Sequence, residues 1–221
     1  MIDLHTHTVF SDGALIPAEL ARRAKVQGYK ALAITDHADN SNLFWILENI
    51  QRLTHSISPY AGIDLYAGIE LTHVPAALIP KMVHTARING AQLVVVHGET
   101  LVEPVEEGTN FAAIEAGVDV LAHPGLIRAE EVELAAQKGV ALEISTRKGH
   151  CLANGHVAML ARKFGAKLVI NNDAHAPSDL VSSELRRNVA YGAGLSNEEY
   201  LQAEANSREI VQKILAGYQA A

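Results

Sequence analysis

Seven short apolar segments recur along the chain, and between them the apolar residues follow helical spacing. They cover residues 2–4, 31–35, 64–69, 92–96, 118–122, 140–144 and 167–170. A strand followed by a helix, repeated at this interval, is typical of strand–helix–strand units with a parallel sheet. Residues 93–96 are apolar at every position, as expected of a strand that helices cover on both sides. The pattern predicts an α/β fold in which seven parallel strands are covered by outer helices.

Sequence signals mark where several of the predicted helices begin or end. Pro17 favours a helix start, and Gly28 favours its end. A second helix is predicted from Val74 to Ile88, opened by Pro75. The Ser-x-x-Glu pattern from Ser196 has the form of a capping box and predicts a last helix that runs to about residue 215.

Length and composition indicate one compact domain over residues 1–221. Hydrophobic residues make up 48% of the chain and charged residues 19%, without a composition break or low-complexity tract. A net charge of −7 counts against general nucleic-acid binding. No apolar run approaches the roughly 20 residues of a membrane span, and no secretory signal is visible. Because the single Cys151 cannot form an internal disulfide, we expect a cytoplasmic protein.

The side chains that could carry chemistry follow the predicted strands. His5 and His7 come after the first segment, and residues two apart in an extended chain face the same side. Asp12 follows in a Ser-Asp-Gly turn that can bend back towards them. Similar donors end the later segments: Asp36 and His37, Glu70, His97, His123, and Asp173 with His175. In a parallel barrel all these strand ends meet on one rim, where active sites are built.

Six histidines and three carboxylates form a set of nine nitrogen and oxygen donors. The set comprises His5, His7, Asp12, His37, Glu70, His97, His123, Asp173 and His175. Nine donors are too many for one ion, so they imply two or three divalent ions with a bridging carboxylate. Imidazole and carboxylate ligands without thiolate suit zinc, manganese or iron.

This ordered set of motifs resembles the PHP (polymerase and histidinol phosphatase) superfamily. The resemblance implies a distorted TIM-like (β/α)7 barrel, with parallel strands and outer helices, that holds three metal ions on its C-terminal rim. By position, His5, His7, Glu70 and Asp173 would hold the first ion. Glu70 would bridge to a second ion bound by His97 and His123. Asp12, His37 and His175 would hold the third.

Charge favours a phosphate ester as substrate. Three divalent ions, three carboxylates and a bridging hydroxide would together have a net charge of about +2. This charge matches that of a phosphate monoester dianion. Two adjacent ions can hold that hydroxide for in-line attack on phosphorus. We therefore expect hydrolysis of a small phosphorylated metabolite, with histidinol phosphate the leading candidate in the family.

Other residues on the same rim are candidates for supporting roles. Arg147, with its planar fork, is predicted to contact phosphate. Further candidates for substrate binding are Lys148, Arg128 and His150. Asp36 and Glu99 are candidates for orienting a metal ligand or the nucleophilic water.

Three other functions fit parts of the sequence. A metallo-amidohydrolase also uses a barrel and an opening His-x-His, but it would leave Asp12, His37 and His175 without a role. A nuclease-type phosphodiesterase of the same family is a further alternative, against which the acidic balance and the missing aromatic or basic groove weigh. A barrel kept for binding alone would not need the full set of donors.

Overall fold

The computed structural model describes residues 1–219 and shows a parallel sheet curled into a nearly closed barrel with helices outside. This confirms the distorted (β/α) barrel. The strands are β1 (Ile2–Asp3), β2 (Ala31–Ile34), β3 (His37–Ala38), β4 (Asp64–Leu71), β5 (Leu93–His97), β6 (Val120–Ala122), β7 (Ala141–Ser145) and β8 (Leu168–Asn171). Seven of them match the seven predicted segments, and the short β3 adds a pair to β4.

Sheet order follows the chain from β1 through β2, β4, β5, β6 and β7 to β8, and every pair is parallel. The ends of the sheet meet just beyond β1 and β8, where Thr6 forms a parallel bridge with Ala174. The amide of His7 donates to the carbonyl of Ala174 at 2.9 Å. The curl of the sheet therefore brings the residues after β1 next to those after β8.

Eight α-helices surround the barrel in the described part of the chain. They are α1 (Pro17–Val26), α2 (Leu43–Ala61), α3 (Ile79–Ile88), α4 (Thr109–Glu115), α5 (Ala129–Lys138), α6 (Asn154–Phe164), α7 (Ser183–Gly192) and α8 (Asn197–Gln219). The predicted capping box of α8 is confirmed, because Ser196 and Glu199 exchange side-chain-to-backbone hydrogen bonds. The predicted helix from Val74 was too long: a 3-10 turn precedes α3. Pro80 explains the late start, since proline has no N–H to donate and suits only the first turn.

Apolar side chains fill the barrel interior below the rim. Inward positions such as Leu4, Ala33, Leu93 and Val95 form one buried cluster, which α8 closes from beneath with Val211. A larger cluster lies between the strands and the outer helices. Within residues 1–219 no helix is long and apolar enough to cross a membrane.

A buried arginine holds the seam of the barrel. The side chain of Arg186, on α7, is fully buried and pairs with Glu204 of α8 at 2.6 Å. Its guanidinium also donates to the carbonyl oxygens of Ile2 in β1 and Ile170 in β8. One side chain thus ties the first and last strands together.

Candidate metal centre

Strand geometry places the donors on the C-terminal rim. Side chains two apart on a strand face the same side, so Glu70 continues the inward row begun by Tyr66 in β4. In the same way His97 continues the inward row of Leu93 and Val95 in β5. The polar donors therefore cap a barrel interior that is apolar below them.

One group of donors lies deepest. The Nε2 atom of His5 is 3.1 Å from Oε1 of Glu70 and 3.6 Å from Oδ1 of Asp173. Nε2 of His7 is 3.1 Å from the same Asp173 oxygen. All four side chains are buried. The structure thus brings together the four residues predicted to share an ion.

A second group lies beside it. The rings of His97 and His123 meet edge to face with centroids 4.5 Å apart, and Nε2 of His123 is 3.8 Å from Oε1 of Glu70. Gly98 permits this approach, because a Cβ there would lie 2.3 Å from the carbonyl oxygen of Ala122. Glu70 therefore stands between the two groups, where a bridging carboxylate would lie.

A third group lies nearest the solvent. Oδ1 of Asp12 is 3.1 Å from Nε2 of His175 and 3.4 Å from Nε2 of His37. The two ring nitrogens are 3.4 Å from each other. Together with His7, these residues offer ligand atoms that all lie within 4.8 Å of one another.

Unsatisfied buried atoms show that the donors suit cations. Across the described residues 1–219, no hydrogen-bond partner is found for Nε2 of His5, both ring nitrogens of His7, Oε1 of Glu70, Nδ1 of His123 and Oδ1 of Asp173. Leaving such groups unpaired costs about 1–3 kcal/mol each, and metal ions would satisfy the carboxylate oxygens and one nitrogen of each imidazole. His123 and Asp173 also have positive φ angles, 25° and 51°. Such strained backbone is concentrated at functional sites.

The protonation of the cluster follows from burial and neighbouring charges. Burial, with His37 nearby, holds the pKa of His7 well below its usual value, and burial does the same for His123. Burial alone would raise the pKa of Glu70, but His5 and His37 hold it well below normal. Burial raises the pKa of Asp173 to about 7. Two of the imidazoles are thus neutral near pH 7, the form in which histidine binds metal.

Outer residues fix the orientation of the donors. Nδ1 of His5 donates to the buried Glu143 at 2.8 Å, which leaves Nε2 free to face the centre. The carboxylate of Asp36 accepts bonds from the amide and hydroxyl of Thr8 and from the hydroxyl of Ser11, each at 2.7 Å. Asp36 therefore shapes the loop that carries Asp12.

The candidates for substrate binding lie in different places. Arg147 lines the pocket, donates to the carbonyl oxygen of Asp173 at 2.9 Å and contacts the ring of His175. His150 lines it as well, whereas Lys148 is exposed on the same loop. The guanidinium of Arg128 is exposed and pairs with Glu131 at the start of α5.

Glu99 is engaged away from the pocket. Its carboxylate accepts the amides of Gly108 and Asn110, both at 2.9 Å, and so holds the start of α4. These contacts give Glu99 a role in the loop between β5 and α4. They do not bring its carboxylate to the donor cluster.

Two carboxylates of the site escaped the sequence reasoning. Glu143 lies inside β7. A glutamate within an otherwise apolar, buried strand is the sequence signal that could have identified this carboxylate. Glu103 lies on the loop before α4, and nothing in the local pattern indicates that its carboxylate comes within 3.0 Å of Nε2 of His97. Glu103 lines the pocket above the donors, together with His97 and His150, and this pocket has a volume of about 210 Å³.

Relatives of known sequence cover nearly the whole chain. It is 52% identical over 199 residues to an uncharacterized protein of Methanocaldococcus jannaschii, covering 89% of this chain and 91% of that one. It is 28% identical over 228 residues to ribonuclease P protein component 3 of Methanosarcina mazei (96% and 88%). A Thermoanaerobacter sp. protein named a probable phosphatase is 27% identical over 236 residues (92% and 91%).

Solved structures share the fold at low sequence identity. A Listeria monocytogenes protein named as a histidinol phosphatase superposes with a TM-score of 0.59 at 12% identity, covering 81% of this chain and 97% of that one. An amidohydrolase superposes with a TM-score of 0.61 at 14% identity (96% and 74%). The family model described as the PHP domain matches residues 3–147, well over half of the sequence. The chain belongs to the PHP family.

Proposed function

We propose that this protein is a metal-dependent phosphoesterase that hydrolyses a small phosphate monoester at a three-ion site, with histidinol phosphate the leading candidate substrate. The observation that carries the proposal is the convergence of nine donors with buried atoms that lack partners. The family membership and the relative named as a phosphatase support the same reaction class.

The three groups of donors divide among three ions as the family resemblance implies. His5, His7, Glu70 and Asp173 would hold the first, Glu70 with His97 and His123 the second, and Asp12 with His37 and His175 the third. Divalent ions in such a site lower the pKa of water and neutralise phosphate charge.

The chain's own residues would position the ester. Arg147 lies 3.6 Å from the carboxylate of Asp173, so its charge stands beside the donors and can hold phosphate oxygens. Glu143 keeps His5 in the orientation that a ligand needs. A pocket of about 210 Å³ is smaller than usual ligand sites, which favours a small monoester.

The amidohydrolase alternative is weakened by the third group. That class would leave Asp12, His37 and His175 without a role, yet these three side chains meet within 3.4 Å. Similarity to an amidohydrolase at 14% identity concerns the fold alone. Metal analysis of the purified protein separates the two readings, because only the phosphoesterase reading requires three ions per chain.

A nuclease-type phosphodiesterase is the second candidate. The Methanosarcina relative is named as a ribonuclease P component. Phe10, on the loop before Asp12, meets the half-exposed Trp45 edge to face, with ring centroids 5.1 Å apart. Exposed aromatic rings can stack on nucleic-acid bases, so this pair favours a nuclease.

One panel tests both functions. Protein stripped with chelator and reloaded with manganese, zinc or iron is assayed on phosphorylated metabolites and on oligonucleotides. We expect monoesters to be hydrolysed faster, and Arg147→Ala to lower kcat/KM by about tenfold or more, as loss of a charged hydrogen bond predicts. Arg162→Ala, a surface arginine on α6, is the control. Faster hydrolysis of oligonucleotides would favour the nuclease, and no hydrolysis with any metal would overturn both.

A further inference from the structure

A tenth donor lies within the second group. His150 is 6% exposed, and one of its ring nitrogens lies within 4.8 Å of ligand atoms of His97 and His123. Its ring stacks on that of His123 with centroids 4.1 Å apart and meets the ring of His97 at nearly a right angle. The structure therefore holds three imidazoles around one point, where the family resemblance assigns only two.

Hydrogen bonds at the far nitrogens orient two of these rings, those of His150 and His97. Nδ1 of His150 lies 2.7 Å from Oγ1 of Thr100, and a donating Nδ1–H there directs the Nε2 lone pair into the pocket. Nδ1 of His97 donates to the carbonyl oxygen of Gly98 at 3.1 Å. Histidines that bind metal are held in this way, with one nitrogen fixed by a protein oxygen and the other free.

A carboxylate faces the same point from the loop before α4. Oε2 of Glu103 is 3.0 Å from Nε2 of His97, and Oε1 is 3.5 Å from Nε2 of His150. The loop itself is anchored, because Glu99 binds the amides that follow it and Glu106 binds the amide of Ala76. Once His97 gives its Nε2 lone pair to a cation, that nitrogen cannot donate to Glu103. The carboxylate would then face the cation directly.

We propose that His150 and Glu103 are protein ligands of the ion held by Glu70, His97 and His123. The inference rests on the metal site of the proposed function. Five protein donors leave one position of an octahedron for water or substrate. Such a site favours a six-coordinate ion over zinc, which prefers four ligands.

Metal binding tests this assignment without reference to turnover. The full chain and the variants His150→Gln and Glu103→Gln are loaded with manganese or cobalt and dialysed against metal-buffered solution. Bound ions per chain are counted by elemental analysis, and affinity is measured by competition with a chelator. We expect both variants to bind one ion at least tenfold more weakly while two ions are retained, since even outer partners of ligands contribute 10–100-fold. His84→Gln, an exposed histidine on α3, serves as the control.

The absorption of bound cobalt gives a second readout, because it changes with the number and type of ligands. A changed spectrum in His150→Gln supports ligation. Full stoichiometry, unchanged affinity and an unchanged spectrum, with only KM raised, would show that His150 contacts substrate and would overturn the proposal. If His150→Gln does not fold, Glu103→Gln decides on the same criteria. Loss of one ion in the variants of a protein that hydrolyses no ester would overturn the phosphoesterase function but support these ligands.

Discussion

Replacement of Glu143 by glutamine tests whether residues behind the donors determine metal affinity. Glu143 is fully buried in β7, where its Oε2 accepts from Nδ1 of His5 at 2.8 Å and from Nδ2 of Asn171 at 2.9 Å. Burial alone would lower the pKa of His5, yet Glu143, with Glu70 and Asp173, holds it well above the usual value. Glutamine keeps the size and one acceptor oxygen but removes the charge.

The expected loss follows from the change in one hydrogen bond. A bond to a charged group contributes about 1.5–3 kcal/mol, and a neutral one about 0.5–1.5 kcal/mol. The variant should therefore lose about 1–2 kcal/mol at His5, and 1.4 kcal/mol corresponds to a tenfold change in affinity. This agrees with the 10–100-fold effect typical of carboxylates that orient metal-binding histidines.

Chelator competition measures the affinity of wild type and Glu143→Gln for manganese, and circular dichroism checks that both are folded. Glu209→Gln, which alters a surface pair with Lys167, is a matched control that should leave affinity unchanged. A folded Glu143→Gln protein with metal affinity within twofold of wild type would refute the role assigned to this carboxylate.

Two further predictions concern stability. Arg186→Met should lower the free energy of unfolding by about 3–5 kcal/mol, because it leaves Glu204 buried without its partner. The control Arg162→Met removes an exposed pair and should cost less than about 1 kcal/mol. Equal losses for the two variants in urea titrations would contradict this prediction. Burial raises the pKa of Asp3 from its usual 3.8 to about 6, so the fold binds this proton more tightly than the unfolded chain. Wild type should therefore lose stability relative to Asp3→Asn as pH rises from about 4 to about 6, by roughly 3 kcal/mol in total; parallel pH profiles in urea unfolding would contradict it.

Much of the fold could be predicted from the sequence because one packing rule applies to all its strands. Each β-strand of a parallel barrel is buried on both sides, so the seven apolar segments stand out from the helices between them. The donors follow those segments directly, and the common rim then follows from topology alone. Helix starts were less predictable: Pro80 shortened a helix that the apolar pattern would have begun at Val74.

The parts of the site that escaped prediction depend on tertiary contacts. Glu103 reaches His97 only because its loop is anchored at several points, and no local pattern encodes that path. His150 follows a glycine and a basic pair, which suggested substrate contact. Its proximity to His123 appears only once β6 and β7 lie side by side.

Along the strands of the barrel, core residues come first and the metal-binding donors follow at the C-terminal end. In β4 the inward positions pass from Tyr66 through Gly68 to Glu70, and in β5 they pass from Leu93 through Val95 to His97. The lower members pack against each other and α8, and their burial stabilises the fold. The upper members are buried polar groups that stabilise the fold only when they are paired. Because strand side chains repeat every two residues, a shift of either strand by one residue would turn its donor away from the rim. The packing of the apolar layer therefore fixes the register on which the donor cluster depends.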